Sequence, residues 1–136
     1  MNNTRFATAL HILTLLADSK EVWCSSEWIA GSINVNPVVV RRELGVLGAA
    51  GLVQTRKGKT GGATLAKRAS DITMDKVYLA VKNSEVLGKR NHKTNAKCPI
   101  GKDINEKLDT LFTSIDQRVV TELSSKTLES FVAEFH

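Results

Sequence analysis

Residues 25–65 constrain this chain more tightly than any other stretch. Ser26 to Ile33 gives two turns of helix, Asn34-Val35-Asn36 forms a tight turn, and a second helix opens at Pro37 and runs through Arg41-Arg42 to about Ala50. The start is strong: Asn36 can cap free main-chain N–H groups, and proline is tolerated at the first helical position. Gly51 is a natural stop, because glycine accepts the left-handed conformation that ends helices. Leu52-Val53 then begins a strand and Ala63-Thr64-Leu65 returns as its partner, with Gly58, Gly61 and Gly62 supplying the turn between them. Two short helices across a tight turn, backed by a basic hairpin, form an arrangement that lays one helix in a DNA major groove. The predicted fold is mainly α with a small β-wing: a winged helix-turn-helix domain followed by a long C-terminal helix.

Charge is distributed to match. The chain of 136 residues carries a net +5. Residues 37–68 hold seven cations (Arg41, Arg42, Arg56, Lys57, Lys59, Lys67 and Arg68) against the single acid Glu43, a net +6, which leaves −1 for the rest. Positive charge concentrated on one element suits a polyanion whose counterions are released on binding. The N-terminus lacks the apolar run of a secretion signal, and no stretch approaches the roughly 18 apolar residues needed to span a bilayer. Cys24 and Cys98 lie far apart and form no C-x-x-C pair, so no disulfide framework is expected and a cytoplasmic location follows.

Around this motif the pattern is helical. Thr4 to about Asp18 places Phe6, Ala9, Leu10, Leu13, Leu16 and Ala17 on one face. A further helix is expected from Met74 to about Lys82, after the capping side chains of Ser70 to Thr73. Residues 83–101 form an irregular loop carrying Cys98. From there Ile104, Leu108, Leu111, Phe112, Ile115, Val119 and Leu123 make a narrow apolar stripe, which Ser124-Ser125 breaks before a short amphipathic end. A long helix with a narrow seam reads most simply as a dimerisation element; folding back on its own domain is the alternative. The expected organisation is residues 1–82 as the winged domain, 83–101 as the loop, and 102–136 as the dimerisation and C-terminal helices.

The run from Leu47 to Leu65 resembles the wing signature of the Rrf-two family of bacterial transcriptional regulators, and Ile72 to Val81 resembles that family's next helix. Asn36-Pro37-Val38-Val39-Val40-Arg41-Arg42 and Cys98-Pro99-Ile100-Gly101-Lys102 look closest to its YwnA-like branch. The resemblance covers nearly the whole chain. It implies a homodimer bound to double-stranded DNA, with recognition helices in adjacent major grooves and wings reaching toward the minor groove. Iron–sulfur members carry three clustered cysteines in the region matching residues 90–106, where this chain has Cys98 alone. No cofactor is therefore expected. Lys57 stands where those members have arginine, which keeps the charge and loses the bidentate fork.

The candidate DNA contacts are Ser25, Asn36, Val38, Arg41, Arg42, Arg56, Lys57 and Lys59. Arg41 and Arg42 suit base edges or phosphates, a solvated charged face being the alternative. Ser25 and Asn36 could serve phosphates, although helix capping alone explains them. Arg56, Lys57 and Lys59 flank the wing tip, where cations enter an electronegative minor groove. Trp28 is expected in the core. Cys98, in a lysine-rich loop before a helix start, is a candidate thiol sensor, and Cys24 a second; packing as small apolar side chains is the alternative for both. A small-molecule or oxidant effector is left open. No metal is expected, since His11, His92 and His136 share no ligand spacing. Nor is an enzyme, for want of a nucleophile–base arrangement, paired carboxylates or a phosphate-binding loop.

Overall fold

Helix α1 (Arg5–Asp18) turns Thr8, Ala9, Ile12, Leu13 and Leu16 inward at three- and four-residue steps, which makes it the central strut of the core. The computed structural model describes residues 3–19 and 22–136. Helix α2 (Ser26–Ile33) ends where Asn34 adopts a left-handed conformation, φ 66°. Helix α3 (Pro37–Ala49) buries Val40, Glu43, Leu44 and Leu47 against α1 and α2. Gly51, at φ +78°, turns the chain out of α3 into strand β1 (Val53–Arg56).

Strand β1 pairs antiparallel with β2 (Gly62–Leu65), in register from Val53↔Leu65 to Arg56↔Gly62. A third piece of extended chain completes the wing. Cys24 exchanges both main-chain hydrogen bonds with Ala63, at 2.9 and 2.8 Å. Gly62 is required by that approach, since a Cβ there would lie 2.3 Å from the Cys24 carbonyl oxygen. The sequence reading assigned this glycine to the turn alone; its close neighbour, 38 positions earlier, leaves no local signal.

After a 3₁₀ turn at Ala69–Asp71, helix α4 (Met74–Val81) buries Met74, Val77 and Val81. Helix α5 (Pro99–Ser124) begins three residues before the expected 102, because Cys98 caps it and Pro99 takes its first turn. It rests on α4 through a half-buried polar cluster. Asp116 accepts hydrogen bonds from Tyr78 Oη, from Lys82 Nζ at 2.7 Å and from the Val86 main chain at 3.3 Å. Burial, then the bond to Asp116, pushes the Tyr78 hydroxyl up to about 12. Burial also pushes Asp116 up, but the bonds from Lys82 and Tyr78 outweigh it and hold the carboxyl below its usual range.

Helix α6 (Leu128–Ala133) is separate from α5, which ends at Ser124 where the Ser124-Ser125 break is expected. It folds onto α1 and the 3₁₀ turn, and Leu128 is fully enclosed in the core of the winged unit. Two main-chain bonds fix the return: Met74 N–H donates to Lys126 O at 2.9 Å, and Leu128 N–H to Ile72 O at 2.8 Å. Burying one leucine contributes roughly 1.5–3 kcal/mol, enough to hold a six-residue helix that would not stand alone.

Candidate nucleic-acid interface

The buried stripe of α3 decides what its other face offers. With Val40, Glu43, Leu44 and Leu47 inward, Val38, Arg41, Arg42 and Gly45 are left outward, each exposed. Both caps that orient the motif are made by side chains. Ser25 Oγ accepts from the Trp28 main-chain N–H at 3.1 Å, and Asn36 Oδ1 from that of Val38 at 2.9 Å. Ser25 and Asn36 thus fix the helix starts, and each oxygen is already engaged within the chain.

Glu43, the only acid in the basic window, is 1% exposed and answers Arg5 on α1. Arg5 donates from Nε at 3.0 Å and from Nη2 at 2.9 Å, which fastens α1 to the back of α3. The bond to Glu43 is the main reason the Arg5 guanidinium is held above its ordinary range. Arg41 is paired with Glu27 of α2 through Nη2, so one carboxylate positions its fork at the mouth of the motif. Arg42 extends outward with its Nη2 3.9 Å from Glu43.

The wing faces the same opening. Arg56 donates from Nε and Nη2 to the Thr60 carbonyl, at 3.1 and 2.8 Å, and its guanidinium lies 4.3 Å from the centre of the Trp23 ring. Stacked and bonded, it braces the hairpin from within. Lys57 and Lys59 are exposed at the tip and make no ion pair among the described residues. Ser25, Ser26, Arg41, Gly45, Arg56 and Lys59 line a groove of about 660 Å³ between the start of α2, the side of α3 and the wing. Trp23, which stacks on Arg56, and Glu27, which lines this groove, were not foreseen. Their partners lie 33 and 14 positions away, and no spacing rule links them.

Trp28 is corrected. It is 53% exposed on α2, because this helix turns only Ile29 and Ala30 inward and the preceding position faces out. The cysteines divide. Cys24 is buried in the core with its Sγ 3.1 Å from Ser19 Oγ, which withdraws it from a dissolved oxidant. Cys98 is exposed, and its Sγ accepts weakly from the Gly101 main chain at 3.4 Å. Among the described residues no helix is long and apolar enough to cross a membrane.

A family model described as "Iron-dependent Transcriptional regulator", Rrf2, matches residues 2–134. The chain belongs to the Rrf2 family. YwnA of Bacillus subtilis (strain 168), provisionally assigned as a helix-turn-helix transcriptional regulator, is 43% identical to it over 129 residues, covering 95% of each protein. A crystal structure of a protein provisionally assigned as DNA-binding shares 39% identity, with a TM-score of 0.71 over 92% of this chain and 96% of that one. The structure of CymR, the global cysteine regulator of B. subtilis, has a TM-score of 0.71 at 22% identity over 98% of this chain and 97% of its own, a likeness of fold. In this Rrf2 chain the donor set does not fit an iron centre. Among the described residues no three His, Cys, Asp or Glu side chains converge, and one of the two cysteines is buried in the core.

Proposed function

We propose that this Rrf2 protein is a homodimeric, sequence-specific DNA-binding repressor. Each subunit inserts the N-terminal half of α3 into a major groove and sets its wing against the neighbouring minor groove. The observation that carries the reading is the shared opening of α3 and the wing, where Arg41, Arg56, Lys57 and Lys59 line one groove. Arg42 and Val38 lie on the outward face of the same helix. Two half-sites about one helical turn apart, roughly 34 Å, follow from a two-fold axis.

A second copy is the natural cover for α5. Of the seven residues of its apolar stripe none is fully buried, and the one buried residue of the whole helix is Asp116. At 26 residues it spans roughly 39 Å, ample for a two-helix seam. Repression by occupancy then needs no catalytic machinery. Cys98, exposed at the start of that helix, is where an oxidant would act on the dimer: peroxide would convert its thiol to a sulfenic acid, with water as the reduced product. If Cys98 is inert, a metabolite that biases the dimer takes that role.

Fluorescence anisotropy tests the reading on DNA upstream of the protein's own gene, against a scrambled duplex, in reductant and at several salt concentrations. Selective binding with a steep salt slope is expected. Equal affinity for both duplexes would refute sequence-specific recognition. Repeating the titration after peroxide, with Cys98→Ser as control, assigns or removes the thiol.

A further inference from the structure

One side chain on the outward face of α3 is ill matched to water. Val38 is 64% exposed and belongs neither to the core nor to the half-buried side chains packed on it. Its main-chain N–H donates to Asn36 Oδ1, a bond that any residue but proline would make. A β-branched side chain is also a poor choice for an exposed helix position, where it loses rotamer freedom and gains no contact. Nothing within the chain calls for valine here.

What surrounds it limits what it meets. Arg41 and Arg42 follow three and four positions on, so they share its face of the helix and frame it with positive charge. With Lys57 and Lys59 exposed on the wing, which shares a groove with Arg41, the surface as a whole matches a polyanion. On DNA the groups that answer arginine are phosphates and the O6 and N7 of guanine. The one apolar group on a major-groove base edge is the C5-methyl of thymine. Two γ-methyls at the second position of a capped recognition helix suit that group better than any other on the base edges.

We propose that Val38 reads the C5-methyl of one thymine in each half-site. The assignment rests on the DNA-binding function argued above and adds to it a base identity. Deoxyuridine or cytosine at that position would leave the valine against a polar edge with nothing to bury. Burying one methyl corresponds to about fourfold in affinity, so losing it in both half-sites corresponds to about fifteenfold.

The test begins by selecting duplexes from a random pool with the full-length protein in reductant. Each thymine of the enriched site is then replaced by deoxyuridine, symmetrically and one pair at a time, and affinity is measured for the wild type, Val38→Ala and Val38→Thr. One symmetric pair is expected to cost the wild type about fifteenfold. Val38→Ala should lose that sensitivity while keeping the remaining base preferences, and Val38→Thr, with one γ-methyl, should lie between. Val38 packs on nothing, so Val38→Thr should melt as the wild type does and Val38→Ala at or slightly above it, which a thermal scan verifies. Uracil tolerated at every position, or equal uracil sensitivity in wild type and Val38→Ala, overturns the proposal and leaves DNA binding standing. A pool that yields no enriched sequence overturns both.

Discussion

Replacing Arg5 by methionine isolates the joint that seats α3. Methionine keeps the length and apolar stem of the side chain and removes the guanidinium, leaving the Glu43 carboxylate, 1% exposed, without its two close donors. Each such charge-assisted bond is worth about 1.5–3 kcal/mol. The Arg5 side chain is 30% exposed, so solvent screening takes back part of this, and about 3 kcal/mol is the expected loss. Glu43→Met strands the guanidinium instead, which can turn toward water, so a smaller loss of about 1–2 kcal/mol is expected. The double variant leaves no stranded charge and should return to within about 1 kcal/mol of the wild type. Urea unfolding at one fixed protein concentration, followed by circular dichroism, gives all four corners of the cycle. Arg42 is the other cation near Glu43, with its Nη2 at 3.9 Å and the side chain mostly in solvent, too distant to substitute fully. A loss below about 1 kcal/mol for Arg5→Met, or a double variant no more stable than Arg5→Met, would refute the argument that a stranded buried anion dominates the cost.

Three further outcomes are expected. Gly45→Ala should raise stability by about 1 kcal/mol, or roughly 3–5 °C in Tm, because a Cβ there meets no atom within 4 Å and alanine is the better helix former. The same methyl projects into the groove between α3 and the wing, so operator affinity should fall; calorimetry and anisotropy together check the pair of opposite signs. Trp23→Ala should weaken operator binding about two- to fivefold by freeing Arg56, with little change in melting; unchanged affinity would mean that the stack does not support the wing. Tyr78 is the only tyrosine, so the phenolate absorbance band reports it alone. It should ionise near 12, and Asp116→Asn should bring it down toward 10. Because the folded value is raised, this contribution to stability is fully present below pH 10 and is lost as pH rises through 10 to 12.

The fold was legible where its signals are local. Asn36-Pro37 announces α3 and Gly51 ends it. The family resemblance carried by the wing glycines held across the chain. What the sequence could not convey is pairing over distance. Glu43 looks like one acid diluting a cationic patch until Arg5, 38 residues earlier, is found against it. Arg56 looks like a free wing cation until Trp23 lies beneath it. Trp28 was expected inside because tryptophan is costly to expose, yet α2 is only eight residues long and has room inward for Ile29 and Ala30 alone. The return of α6 was hidden for the same reason. Its amphipathic pattern shows that it must cover something without saying what.

The two main-chain bonds that tie Ile72 and Met74 to Lys126 and Leu128 close a loop that starts with α4 in the core, leaves the winged unit after Val81 and re-enters beside the start of α4. Met74 and Lys126 are thus neighbours in space at this seam, although 52 positions apart in the chain. Cutting after residue 82 would strip Leu128 from the core, so the winged unit cannot be obtained whole by shortening the gene. Splicing at the seam can do it. A short linker from α4 to Lys126 would keep the enclosed leucine, and a foreign segment inserted there would carry another protein's helix. Ile72–Leu128 is in this sense a docking port, and what it holds can be exchanged as a cassette without rewriting the helix-turn-helix and the wing.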